Sequence, residues 1–243
     1  MRSRRPRRIL RIIAILIAIV LGYLAVAGLW AYAVTPTVIA LASKPRLVDL
    51  GSLPDGTVQI LLRVEDPTFR KHKGLDPFAT GQGRGTITRA LARTLYLHRY
   101  DLKGVAGVGQ SVFRFVNGVA GPADLGPDVM ALVLNAQVSK DRQLRLFVQH
   151  AYMGTHDGRP VYGFSNAARA HFGKRMPDLT RRYVVALVGM MVDPDQFHPV
   201  RHPDALGERM LRIERLLRGD CKPRGARDVY YRDCAAPDRG DRH

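Results

Sequence analysis

Glutamate is scarce in this 243-residue chain: Glu65, Glu208 and Glu214 are the only three. A mechanism that needs two Glu carboxylates has few candidates. Cysteine occurs twice, which excludes a disulfide-dense scaffold and a four-cysteine zinc site. No low-complexity tract or internal repeat is present, and a hydrophobic share of 46% excludes a disordered chain. His-Glu-x-x-His, Gly-x-Ser-x-Gly and Ser-x-x-Lys are all missing. A penicillin-sensitive acyl-enzyme is therefore not available. The eight histidines show no metal-ligand spacing. The length fits one ordinary domain with a real core, plus an appendage.

Acids are outnumbered, 21 against 38 Lys and Arg, for a net charge of +17. Six of those cations, Arg2, Arg4, Arg5, Arg7, Arg8 and Arg11, crowd the first eleven residues. Residues 12–34 then run without a charge. As a helix this run would be about 34 Å long, enough for a bilayer core. The arginine cluster belongs on the cytoplasmic side, so the rest of the chain is expected outside the cytoplasm. Ala31-Tyr32-Ala33 also resembles a signal-peptide cleavage site, but the apolar run is longer than a signal core, so an uncleaved anchor is preferred. Beyond residue 11 the chain is still basic. For an exported domain this points to anionic headgroups and phosphorylated lipids rather than nucleic acid. A plain bias toward arginine accounts for it equally well.

Residues 35–47 read as a linker and 35–57 as a proline-punctuated connector. Helices are expected at 57–65, 86–97, 127–138, 165–172, 180–192 and 203–217, with another capped by Ser139. Residues 98–126 read as a loop or irregular cover, and no run of alternating strands appears, so the fold is expected to be mainly α. Cys221 and Cys234, in a polar tail over 218–243, can close a loop of about a dozen residues in an oxidising compartment.

Two patterns carry chemistry. The first is Glu65-Asp66-Pro67-Thr68-Phe69-Arg70-Lys71-His72-Lys73-Gly74-Leu75-Asp76. A carboxylate beside an apolar ring such as Phe69 can have its pKa raised, as a general base requires. Taken alone, these residues read more readily as solvated helix-end acids and a turn histidine. The second is Gly81-Gln82-Gly83-Arg84-Gly85 leading into Thr86-Ile87-Thr88. A helix start of this kind can hold phosphate oxygens, with Arg84, Arg89 and Arg93 adding charge. It also reads as an ordinary loop.

Taken in order, these pieces resemble the peptidoglycan glycosyltransferase domain, glycosyltransferase family 51. That is the lysozyme-like domain of class A penicillin-binding proteins and of monofunctional transglycosylases. The first family motif, Glu-Asp-x-x-Phe-x-x-His-x-Gly-x-Asp, is complete at 65–76. The second, Gly-Gly-Ser-Thr-Ile-Thr-Gln-Gln, is partial at 83–90. Ser139-Lys140-Asp141-Arg142 is similar to the start of the fourth. Pro194, Phe197, Pro199 and the stretch from Pro203 to Arg209 are similar to the closing region. The resemblance covers roughly 48–217.

It implies a lysozyme-like domain behind one transmembrane helix, of the monofunctional type, on the periplasmic side of the bacterial inner membrane. It also implies polymerisation of lipid II onto a growing glycan strand, with Glu65 as the general base. Asp66, Phe69, His72, Gln82, Arg84, Thr86, Thr88, Arg89, Arg93, Lys140 and Arg142 would bind substrate. No cofactor is firmly implied, although a divalent cation, Mg2+ or Mn2+, is compatible with the family. Other cell-wall synthases are candidate partners.

The sequence also departs from the family. The third motif, Arg-Lys-x-x-Glu, should fall near 123–127, where Ala-Asp-Leu-Gly-Pro stands. Asp124 or Asp128 could substitute only with a shorter side chain. Gly85 replaces the second motif's Ser, and Arg89 and Ala90 replace its two Gln. The segment between Asp76 and Gly83 is shorter than the family's. An alternative reading follows: an impaired relative that binds a lipid-linked precursor or glycan, or partners a synthase.

Overall fold

The computed structural model describes residues 5–44, 47–79, 81 and 85–234. Helix α1, Arg5–Ala42, has two environments. From Ile9 to Leu21 its large apolar residues stand exposed. From Ala27 to Ala42 one face, including Ala31, Val34, Val38 and Ile39, is buried in the domain. The helix therefore continues through 35–42, where a linker was expected. Pro36 lies inside it and cannot donate to the carbonyl of Tyr32. Gln137 Nε2 donates to that carbonyl instead, at 3.3 Å. The turn keeps its acceptor satisfied, and the proline does not end the helix.

The remaining helices are α2 (Thr57–Glu65), α3 (Ile87–Arg93, continued by a wider turn over Thr94–Arg99), α4 (Gly104–Ala120), α5 (Gly126–Gln137), α6 (Lys140–His150), α7 (Phe164–Phe172), α8 (Arg181–Met190) and α9 (Pro203–Arg218). Thr86 caps α3 by accepting from the Arg89 amide, and Ser139 caps α6 by accepting from the Arg142 amide. Helix α5 bridges α1 and α3, and α8 packs on α9 and α2. The apolar faces of these helices meet in one core that includes Leu61, Leu91, Met130, Leu134, Phe164 and Val188.

Two further expectations are corrected. Residues 104–120 form α4, where a loop was expected. Trp30 of α1 donates to the Ala106 carbonyl at 3.1 Å and packs against Phe113, 5.0 Å between ring centres. The many glycines hid a helix whose backbone approaches α1 closely: a Cβ at Gly109 would meet the Trp30 ring at 2.5 Å. Second, a short antiparallel hairpin exists, β1 (Tyr152–His156) with β2 (Arg159–Tyr162). Its turn is Asp157-Gly158, both with positive φ (50° and 71°), the pair that a tight hairpin turn favours.

The segment after α9 is also folded as far as Cys234. Cys221 and Cys234 form a disulfide.

A candidate active-site cavity

The complete motif at 65–76 works as a scaffold for its first residue. Asp66 is fully buried. It accepts from His72 Nε2 at 2.9 Å and from the Ile87 amide at 2.9 Å. His72 Nδ1 accepts in turn from the Gly74 amide at 2.9 Å. One carboxylate thus ties the end of α2 to the start of α3. Gly74 adopts φ +116°, and a Cβ there would stand 2.8 Å from the carbonyl oxygen of Ala131. Only glycine fits that approach to α5. Asp76 accepts from Thr68 Oγ1 and the amides of Phe78 and Ala79. Those hydrogen bonds hold its carboxyl below the usual range.

Phe69 is buried, with the Lys140 ammonium over its ring at 4.4 Å. Lys140 Nζ also reaches Thr88 Oγ1 at 3.2 Å, and Thr88 donates to Gln143 Oε1 at 2.7 Å. Burial pushes the Lys140 ammonium down to about 8, against the pull of Asp66. Thr86 donates to the Gly74 carbonyl at 2.6 Å.

Glu65, at the last position of α2, lines a cavity of about 800 Å³. Arg89, Arg93, His98, Tyr152, Tyr162, Arg209 and Tyr231 line it too. Burial is the main force on Glu65 and raises its carboxyl to about 7; Arg209 opposes the rise and Asp66 adds to it. The expected apolar neighbour, Phe69, does not line this cavity.

Arg89 and Arg93 stand one turn apart on α3. Arg89 Nε donates to Asp128 at 2.7 Å, and Arg93 Nε to Asn117 at 3.3 Å. Asn117 donates to Asp124, which also accepts from Tyr23. Asp124 and Asp128 thus brace the two arginines and do not line the cavity. Burial, and then the neighbouring Arg89, push the Arg93 guanidinium down, against the pull of Asp124.

Among the expected site residues, the structure brings Glu65, Arg89 and Arg93 onto one cavity. Asp66, Phe69, His72, Thr86, Thr88 and Lys140 lie in the packing that supports it. Arg142 is exposed and donates to Ser43 at 3.1 Å, away from the cavity. Gln82 and Arg84 lie outside the described residues. Sequence reasoning missed His98, Tyr152, Tyr162, Arg209 and Tyr231. For the two hairpin tyrosines the Asp157-Gly158 turn was an available signal.

Among the described residues no group of three or more His, Cys, Asp or Glu could hold a metal ion. Glu65 is the one acid on the cavity among them, beside three guanidinium groups. That donor set does not fit a divalent cation held by the protein.

The comparisons with known proteins follow the same lines. The family model described as Transglycosylase matches residues 35–217. Penicillin-binding protein 1B of Escherichia coli is 28% identical over 200 residues, covering 75% of this chain and 22% of that protein. Penicillin-binding protein 1B of Vibrio cholerae is 27% identical over 177 residues, covering 68% and 20%. The chain thus spans about a fifth of these curated relatives. A Cupriavidus necator protein, provisionally named a transglycosylase, is 27% identical over 200 residues and is covered to 77% of its length. A complete first motif, a cavity built around its glutamate and a family match over most of the chain agree: the chain belongs to the transglycosylase family.

Proposed function

We propose that this protein is a membrane-anchored peptidoglycan glycosyltransferase that polymerises lipid II, with Glu65 as its general base. The observation that carries the reading is Glu65 on a basic cavity, its carboxyl raised to about 7. A base poised near the working pH combines useful ionisation with useful basicity. Glu65 takes the proton from the acceptor sugar hydroxyl. The oxygen forms the new glycosidic bond as the bond to the pyrophosphate breaks. Arg89 and Arg93 stabilise the charge that develops on the departing pyrophosphate. Tyr152 and Tyr162 supply flat faces against which sugar rings can pack.

The membrane reading is supported by α1. Over residues 8–42 it is long and apolar enough to cross a bilayer by length and composition. Helix α4, packed on α1 at Trp30, adds a second apolar surface. Val105, Val108, Val112, Phe115 and Val119 recur at helical spacing and are 52–90% exposed. A bilayer that holds α1 covers this row as well, next to a cavity that must receive a lipid-linked substrate. The basic N-terminal segment then lies in the cytoplasm and the domain outside it.

One observation favours a second reading. Among the described residues no other acid joins Glu65 on the cavity, as a relative that binds lipid-linked precursor without turnover would allow.

The test is purified protein in detergent with labelled lipid II. Glycan strands are expected from the wild type and none from Glu65→Gln, with retained lipid II binding by both. Binding without polymer from the wild type would replace this reading with the second. A periplasmic reporter fused after residue 243 is expected to be active; a cytoplasmic signal would reverse the topology.

A further inference from the structure

We infer that the disulfide-closed segment Cys221–Cys234 is a working wall of the cavity that positions Glu65 through Tyr231 and Arg209. The inference deepens the proposed function and rests on the same glutamate. The family match ends at residue 217, so this segment lies beyond the matched domain.

Four observations support it. First, the segment turns back onto the cavity: Val229 and Tyr231 line it beside Glu65. Second, Tyr231 is 2% exposed, and its hydroxyl donates to the carbonyl oxygen of Val64, the residue before Glu65. Its φ is +52°, a conformation a bulky residue holds only when its surroundings compel it. Third, Arg209 is 1% exposed, with its guanidinium 4.5 Å above the Tyr231 ring. Its Nε and Nη1 have no hydrogen-bond partner, and neither has Asp228 Oδ2. Buried guanidinium donors without partners are costly, and these belong to a residue that lines the cavity. Fourth, the Gly81 amide donates to the Gly225 carbonyl at 2.9 Å, and a Cβ on Gly81 would strike Pro223 and Tyr231 at 2.6 Å. The segment therefore occupies space beside the loop that is shorter here than in the family.

Physically, Tyr231 keeps water from the end of α2 and presents Arg209 toward Glu65. The charged and titratable groups around this point are Arg63 and Glu65 of α2, Asp66 after it, Arg209 and Arg212 of α9, and Asp228 and Tyr231 of the segment. Arg209 and Tyr231 are positioning residues: they act through Glu65. The disulfide keeps the segment in place, so opening it to two thiols loosens the wall.

The experiment uses the full chain in detergent. Thermal stability against pH is measured for each background with Glu65 and with Glu65→Gln; the difference levels off just above the folded-state midpoint of Glu65 ionisation, whether or not polymer forms. In Tyr231→Ala and in Cys221→Ser/Cys234→Ser that midpoint is expected to fall by about one pH unit as Glu65 gains water. Polymerisation should drop about tenfold. Arg224→Ala, an exposed change on the same segment, should alter neither. Where these variants fail to fold, Tyr231→Phe and wild type opened with dithiothreitol supply the comparison, with a smaller shift in the same direction. An unchanged midpoint in a folded Tyr231 variant, or in the thiol form, would overturn the inference. A shifted midpoint in a protein that makes no polymer would uphold it and overturn the glycosyltransferase reading instead.

Discussion

Glu65 and Asp66 are neighbours in the chain, yet only Glu65 lines the cavity; Asp66 is fully buried in hydrogen bonds to His72 and the Ile87 amide. In the division of labour along this motif, several residues serve to present the one side chain proposed as the base. The glutamate must be partly desolvated to work near neutrality. A desolvated carboxylate costs stability, so the structure around it must be rigid enough to keep it in place. Asp66, His72, Gly74 and Asp76 supply that frame.

Asp66→Asn keeps the shape but leaves an amide facing the Ile87 N–H or the His72 proton. A loss of about 1–3 kcal/mol in unfolding free energy is expected, read by denaturant titration. An unchanged midpoint would remove Asp66 from the frame.

Glu65→Gln should abolish polymerisation and stabilise the fold. The folded-state pKa of Glu65 is raised to about 7 from its ordinary 4.5, so the folded protein holds this proton more tightly than the unfolded chain. The destabilisation is absent below about pH 4.5, grows as pH rises, and is complete above about 7. The variant's Tm should therefore match the wild type at pH 4 and exceed it by a few degrees at pH 8. A gap that narrows with rising pH would contradict the placement.

Arg93→Ala removes one of two cavity cations one turn apart. A fall in kcat/KM of about 10–100-fold is expected, with KM the more affected term if the ground-state pyrophosphate is also held. Kinetics unchanged in this variant would move the leaving-group site elsewhere.

For the apolar row of α4, a fluorophore placed through Phe115→Cys in reconstituted vesicles should be quenched by brominated lipid. The same probe at Arg182, exposed on α8, should not be. Equal quenching at both positions, or none at 115, would detach α4 from the bilayer.

Much of this was legible in the sequence. The motif at 65–76, the cap residue Ser139, and helices at 57–65 and 203–217 follow from local spacing, which reports local structure well. What was missed depends on long-range packing. Pro36 reads as a break because the compensating donor, Gln137, lies 101 residues away from it. The glycine-rich stretch 104–118 reads as loop because Trp30, which needs the lack of a side chain at Gly109, is remote in sequence. Arg209 reads as one cation among many on an amphipathic helix, since only the fold shows it buried over Tyr231. The hairpin at 152–162 is different: Asp157-Gly158 was a local signal that went unused.

The central claim is that Glu65 acts as a base from a partly desolvated position, and the pH dependence of lipid II polymerisation tests it most directly. Below pH about 7 log kcat/KM is predicted to fall with unit slope as Glu65 takes up its proton. A rate that stays level down to pH 5, or a Glu65→Gln variant that polymerises at the wild-type rate, would contradict the account.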